Sequence, residues 1–142
     1  MLGFTFLEVL IAVIIVSILS TLGFVQYGKL MERQYGRDAV AYLRAIRAAE
    51  LDYYIRNGAF TSIEEKLDLS AGIFDADQYF DTDLPVVIGV KSFEKSITRK
   101  NNAYSGYRGS RIMLKVAVSD VESDVSINTA WETTNPAYES LF

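Results

Sequence analysis

The chain has no cysteine and no histidine, and only two prolines and one tryptophan, in 142 residues. Without cysteine there is no disulfide, no zinc–thiolate site and no cysteine nucleophile. Without histidine, the commonest general acid–base group and metal ligand is also missing. An enzyme built from this chain would have to work with Asp, Glu, Lys, Tyr or Ser, and no motif arranges these into a nucleophile–base pair or a close carboxylate pair. The composition therefore points to a protein that is not an enzyme and needs no cofactor. Basic residues are also few, 14 Lys and Arg against 18 Asp and Glu, for a net charge of −4. Such a balance does not suit a phosphate backbone, so no nucleic-acid partner is expected.

What the chain has in abundance is apolar surface. Half of its residues are hydrophobic and 23% are charged, the balance of one folded domain with apolar surface to spare. The excess is concentrated in Phe4–Val25, an unbroken run whose single charge is Glu8. As a helix this run is about 33 Å long, enough to cross the hydrocarbon core of a bilayer. Three readings compete for it. A cleaved secretory signal should be preceded by positive charge and followed by a small-x-small site, and Ser20-Thr21-Leu22-Gly23 is a poor one. A passive signal anchor has no use for Glu8, since a carboxylate within a membrane segment costs about 2.5–3.5 kcal/mol on insertion scales.

The third reading is a resemblance. Gly3-Phe4-Thr5-Phe6-Leu7-Glu8, followed by the apolar run, resembles the start of type IV pilins and of the pseudopilins of type II secretion. The resemblance implies that a prepilin peptidase cuts between Gly3 and Phe4, that Phe4 is then N-methylated, and that Glu8 forms an assembly salt bridge with the terminal amine of a neighbouring copy. It also implies insertion in the inner membrane as a single-pass precursor. An assembly platform and its ATPase would then build a helical homo-oligomeric filament, an extracellular pilus or a periplasm-spanning pseudopilus. The sequence departs from the family in three places. Met1-Leu2-Gly3 lacks the usual Lys or Arg, Val25 stands where many relatives have proline, and the common C-terminal disulfide cannot form. The close match covers about the first thirty residues.

Beyond the apolar run, Met31–Arg56 is rich in good helix formers. Tyr35, Ala39, Tyr42 or Leu43, Ile46, Ala49 and Tyr53 form one apolar stripe, with Arg37, Arg44, Arg47 and Glu50 mostly away from it. Asn57-Gly58 reads as the helix stop. Overlapping capping-box patterns predict a short helix near Ser62–Leu67. Strands are predicted at Leu84–Val90, opening with Pro85, at Arg111–Ser119 and at Asp124–Trp131, with a further one near Ser92–Arg99. Ile112, Leu114, Val116 and Val118 share one face, as do Val125, Ile127, Thr129 and Trp131. The short polar link Asp120–Ser123 makes the last two strands an antiparallel hairpin. The expected fold is α+β: a long N-terminal helix with its second half packed on an antiparallel sheet, which is also the pilin architecture. In these terms residues 1–3 are the leader and 4–25 the transmembrane and filament-core helix. The globular domain, 26–142, divides into a half-helix (26–57), a connection (58–83) and the sheet (84–142).

The remaining candidates are read conservatively. The acidic stretches holding Asp75 and Asp77, and Asp120, Glu122 and Asp124, are the places where calcium could bind. The first fails the EF-hand template at Tyr79, and both read by default as solvated turns. Asn101–Gly109 reads as an exposed loop. Phe24, Tyr27, Tyr35, Tyr42, Tyr53 and Tyr54 read as packing residues. The function implied is that of a filament subunit, a major pilin first. A type II pseudopilin is the alternative, as is a minor pilin or adhesin that makes cell-adhesion contacts through the Asn101–Gly109 loop.

Overall fold

The computed structural model describes residues 4–69, 78–82, 87–89, 91–103, 105–121 and 124–142. One helix, α1, runs from Phe6 to Asn57, 52 residues, or about 78 Å. It begins at Thr5, whose extended backbone and side-chain oxygen receive the Glu8 N–H. It ends at Gly58, which takes the left-handed conformation at φ 75° and returns its N–H to the Tyr54 carbonyl at 2.7 Å. The sequence predicted both the continuous helix and this stop, and a residue with a Cβ would be strained at Gly58.

Five strands follow: β1 (Phe80–Asp81), β2 (Val87–Gly89), β3 (Ser92–Arg99), β4 (Arg111–Val121) and β5 (Asp124–Thr133). All pairs are antiparallel in the order β1-β3-β4-β5, with β2 pairing the other end of the β3 edge that β1 occupies. The expected α+β architecture is therefore present. The β4–β5 register carries the hairpin from Ile112↔Thr133 to Val121↔Asp124. Strand β1 was not expected. It lies inside the acidic stretch that reads as a turn, and Phe80 anchors it with no exposed surface. Of the strand predicted at Leu84–Val90, positions 84–86 and 90 lie outside the described residues.

The core lies between α1 and the inner face of β3 and β4. Ala39, Val40, Leu43 and Ile46 meet Phe93, Ile97, Ile112, Leu114 and Val116 there. Strand β5 is different. The register puts Ile127, Thr129 and Trp131 on the same face as Val118, Val116 and Leu114, as the alternation predicted. Yet Ile127 keeps 43% of its surface exposed. The reason is width. A helix about 10–12 Å across covers two strands spaced about 4.8 Å apart, not three. Over β5 the helix extends arginines: Arg47 donates to the Thr129 hydroxyl at 3.0 Å and Arg44 lies 5.8 Å from the Trp131 ring.

Four local expectations are corrected. Ser62–Leu67 forms only a single 3-10 turn, Glu64–Lys66. Residues 84–142 are not all sheet, since the chain closes with a 3-10 helix, Pro136–Leu141, capped by the Asn135 side chain. Its Tyr138 is fully buried against α1. It fits there because Gly36 has no side chain: a Cβ on Gly36 would stand 2.7 Å from the Tyr138 ring. The Asn101–Gly109 segment is not simply exposed, because Ala103 and Tyr107 belong to the core. Finally, Tyr27 does not pack; it is 63% exposed.

Candidate functional site

Two regions of α1 carry chemistry, one at each side of the boundary between its uncovered and packed halves. At the N-terminus, Thr5 accepts the Glu8 N–H at its hydroxyl (3.3 Å) and at its carbonyl (3.1 Å). The carboxylate of Glu8 therefore sits in the first helical turn, where the unpaired N–H groups and the helix dipole favour a negative charge. Phe4, Glu8, Val9, Ala12, Val13, Val16 and Ser17 border one shallow groove along the helix. Phe4 is 82% exposed, and the large apolar side chains from Phe6 to Leu19 are exposed without exception. The hydroxyls of Ser17, Ser20 and Thr21 each donate to the carbonyl four residues back at 2.7 Å. These polar groups are thus satisfied within the helix and do not oppose an apolar surrounding. The helix is long and apolar enough to cross a membrane.

Of the residues singled out from the sequence, Phe4 and Glu8 are brought onto this one strip, while Gly3 lies outside the described residues. Asp75, Asp77 and Glu122 also lie outside them. Asp120 and Asp124 fall at the adjoining ends of β4 and β5, opposite Val125 and Val121. Among the described residues no cluster of acidic side chains could hold a metal ion.

The second region was missed from the sequence. Glu32 and Glu50 are 3% and 0% exposed, and both face the sheet. Glu50 was expected away from the apolar stripe and instead lies in it. The two are eighteen residues apart, five turns at about 3.6 residues each, so they share one face with Ala39, Leu43 and Ile46. On the sheet side Lys95 and Arg99 alternate with Phe93 and Ile97 on the buried face of β3. The period that marks the core strand therefore also carries two cations into the core.

Arg99 is held from every side. Its Nε donates to Glu32 Oε2 at 2.9 Å and its Nη2 to Oε1 at 3.0 Å, a paired fork. Its Nη1 donates to the Tyr79 carbonyl and to Asn102 Oδ1. The guanidinium lies 5.2 Å from the ring of Tyr35, 5.6 Å from that of Tyr79 and 5.4 Å from that of Phe80. Tyr35 and Tyr79 stack at 4.1 Å. A hydrogen bond with Tyr79, then burial, raises the Tyr35 phenol above its ordinary range. Burial, then the nearby Glu32 carboxylate, pushes the Tyr138 hydroxyl far above its own. This cluster joins α1, β1, β3, the following loop and the C-terminal 3-10 helix.

Glu50 is the second tie. Its Oε2 accepts the Thr61 N–H at 3.1 Å, pinning the chain just after the helix stop. Burial raises its pKa, while the Thr61 hydrogen bond and the Lys95 charge oppose the rise. A signal for both ties was present in the sequence: acids at the positions that extend the three-and-four spacing of the apolar stripe, and bases at alternate positions of an apolar strand. No protein-family model, curated protein or solved structure matches the chain.

Proposed function

We propose that the chain is the structural subunit of a type IV pilus-like filament, assembled from the inner membrane after leader cleavage between Gly3 and Phe4. The observation that carries this reading is the asymmetry of one helix. Its second half is packed on the sheet, tied to it by the buried Glu32–Arg99 pair and to the following segment by Glu50. Its first half is apolar, uncovered, and led by Gly3-Phe4 with the lone acid Glu8. Apolar surface on that scale requires a cover. The lipid bilayer supplies it for the single subunit and neighbouring helices supply it in the assembly. The second-half ties suit a part that must carry the folded domain rigidly while the first half changes surroundings.

In this reading a prepilin peptidase exposes the Phe4 amine, which is N-methylated and stays positively charged. Both that amine and the Glu8 carboxylate are unfavourable alone in an apolar medium. Pairing Glu8 with the amine of the adjoining copy removes that penalty and sets the axial stagger of the helices, while Ile, Val and Leu side chains pack without direction. Breaking a buried pair of this kind costs about 3–5 kcal/mol. Two measurements test the proposal. N-terminal sequencing of the native protein is expected to begin at Phe4. Glu8→Gln is expected to insert and be cleaved normally but to give few or no filaments. A mature chain starting beyond Val25, or wild-type filament yield from the cleaved Glu8→Gln protein, would refute it.

A further inference from the structure

Just past the apolar run, α1 turns basic on its outer side. Lys29, Arg33 and Arg37 are all exposed and follow one another at intervals of four residues, within an arc of about 80°. The chain as a whole has a net charge of −4, so this ridge runs against its general sign. It is not explained by helix stability, since like charges at i and i+4 weaken a helix. Nor is it used inside the fold: none of the three makes an ion pair among the described residues. The acids of the same stretch are engaged elsewhere, Glu32 with Arg99 and Asp38 with Gln34.

The position of the ridge is as informative as its charge. Lys29 lies four residues beyond Val25, about 6 Å along the axis, Arg33 about 12 Å and Arg37 about 18 Å. The headgroup zone extends about 5–8 Å beyond the hydrocarbon core on each side. With the apolar run in the hydrocarbon, Lys29 stands in that zone. Arg33 and Arg37 follow within about a Debye length of its outer edge or just beyond. Tyr27, 63% exposed, falls at the interface depth where amphipathic rings collect.

We propose that Lys29, Arg33 and Arg37 form a binding ridge for the anionic lipid headgroups of the leaflet nearest the globular domain, with Tyr27 setting the depth. The ridge holds the unassembled subunit at a fixed height, so that the folded domain stands clear of the surface. The contact is electrostatic, reversible and weakened by salt, which lets the subunit leave the bilayer.

This inference rests on the apolar half of α1 lying in a bilayer, and the experiment separates the two claims. The full chain is reconstituted in phosphatidylcholine vesicles containing a minority of phosphatidylglycerol. Protease protection reports insertion. Spin-labelled phosphatidylglycerol and phosphatidylcholine report which lipid is enriched at the protein boundary. One basic residue at an anionic surface is worth about a fivefold preference. We expect phosphatidylglycerol to be enriched about fivefold or more around the wild-type chain at low salt, falling as salt is added. In the triple variant Lys29→Gln/Arg33→Gln/Arg37→Gln the enrichment should fall to near parity with insertion unchanged. Arg111→Gln, a surface charge remote from the helix, should leave it unaltered. Equal enrichment in the wild-type and triple-variant chains, both inserted, would overturn the ridge and leave the spanning helix standing. Failure to insert in any vesicle would overturn the spanning helix and the ridge together.

Discussion

Removing one partner of the Glu32–Arg99 pair should cost far more than removing both. The two side chains are 5% and 2% exposed, so a single replacement strands a charge in a medium that cannot solvate it. Such a loss runs to about 3–5 kcal/mol, a large part of the 5–15 kcal/mol or so that holds a domain folded. Arg99→Met keeps the apolar stem among Tyr35, Tyr79 and Phe80 and leaves Glu32 without its partner. Glu32→Leu does the converse. In the double variant no charge is stranded. What remains is the Tyr79 carbonyl and the Asn102 side chain without their donor, a penalty of about 1–3 kcal/mol. The double variant should therefore be more stable than either single one, with a coupling energy well above the roughly 0.5 kcal/mol scatter of independent sites. The assay is urea unfolding of the full chain in nonionic detergent, followed by the fluorescence of its one tryptophan. Trp131 is half-buried on β5 and stacks on Phe142 at 5.2 Å, so it reports loss of the domain. Single variants within about 1 kcal/mol of wild type, or strict additivity in the double, would refute the claim that this pair ties helix to sheet.

Three further outcomes follow from the same packing. Burial holds the Glu50 pKa above its ordinary value of 4.5, so the folded chain binds this proton more tightly than the unfolded one. The stability that this contributes is full below that value and is lost as pH rises through the raised pKa. Wild type should therefore lose stability relative to Glu50→Gln as pH rises above the ordinary value of 4.5, and a pH-independent difference in urea midpoint would count against the burial argument. Gly36→Ala should destabilise by about 1–2 kcal/mol, the overpacking against Tyr138 outweighing the gain of about 1 kcal/mol in helix propensity; a higher melting temperature would show that Tyr138 can withdraw. A fragment beginning at Gln26 retains the core, since among the described residues no apolar core residue precedes Tyr35 and the buried Glu32 is also kept. It should be soluble and monomeric and melt cooperatively, and a molten fragment would place the domain boundary elsewhere.

Much of this molecule is legible before folding because its signals are local. The apolar run, the lone Glu8, the Asn57-Gly58 stop and the alternation along β4 each depend on residues a few positions apart. Helix and strand periods therefore report them directly. That Ile112, Leu114, Val116 and Val118 share one face follows from the period of two alone. Glu32, Glu50, Lys95 and Arg99 were harder, because a charged residue on an apolar stripe has two outcomes. It can sit at the rim in water or enter the core with a partner. Which one holds depends on whether the opposite charge arrives from a distant strand. Glu32 and Arg99 are 67 residues apart, and no spacing rule joins them.

The long helix, its stop, the antiparallel hairpin and the division into an uncovered apolar half and a packed half are written in the order of residues, because hydrophobic periodicity and turn chemistry act over single turns and pleats. What the helix covers is settled by the packing of the two layers. One helix spans the width of two strands, so the inner faces of β3 and β4 are buried while β5 meets Arg44 and Arg47 of the helix and the C-terminal Phe142. The glycine at position 36 admits the Tyr138 ring, and the C-terminal residues become a clasp and not a strand. Glu32 finds its partner because the sheet brings Arg99 beneath the helix, and Glu50 is met by the Thr61 N–H and the charge of Lys95. These are matters of width, volume and charge meeting across the fold, and they are set when the two layers close on each other.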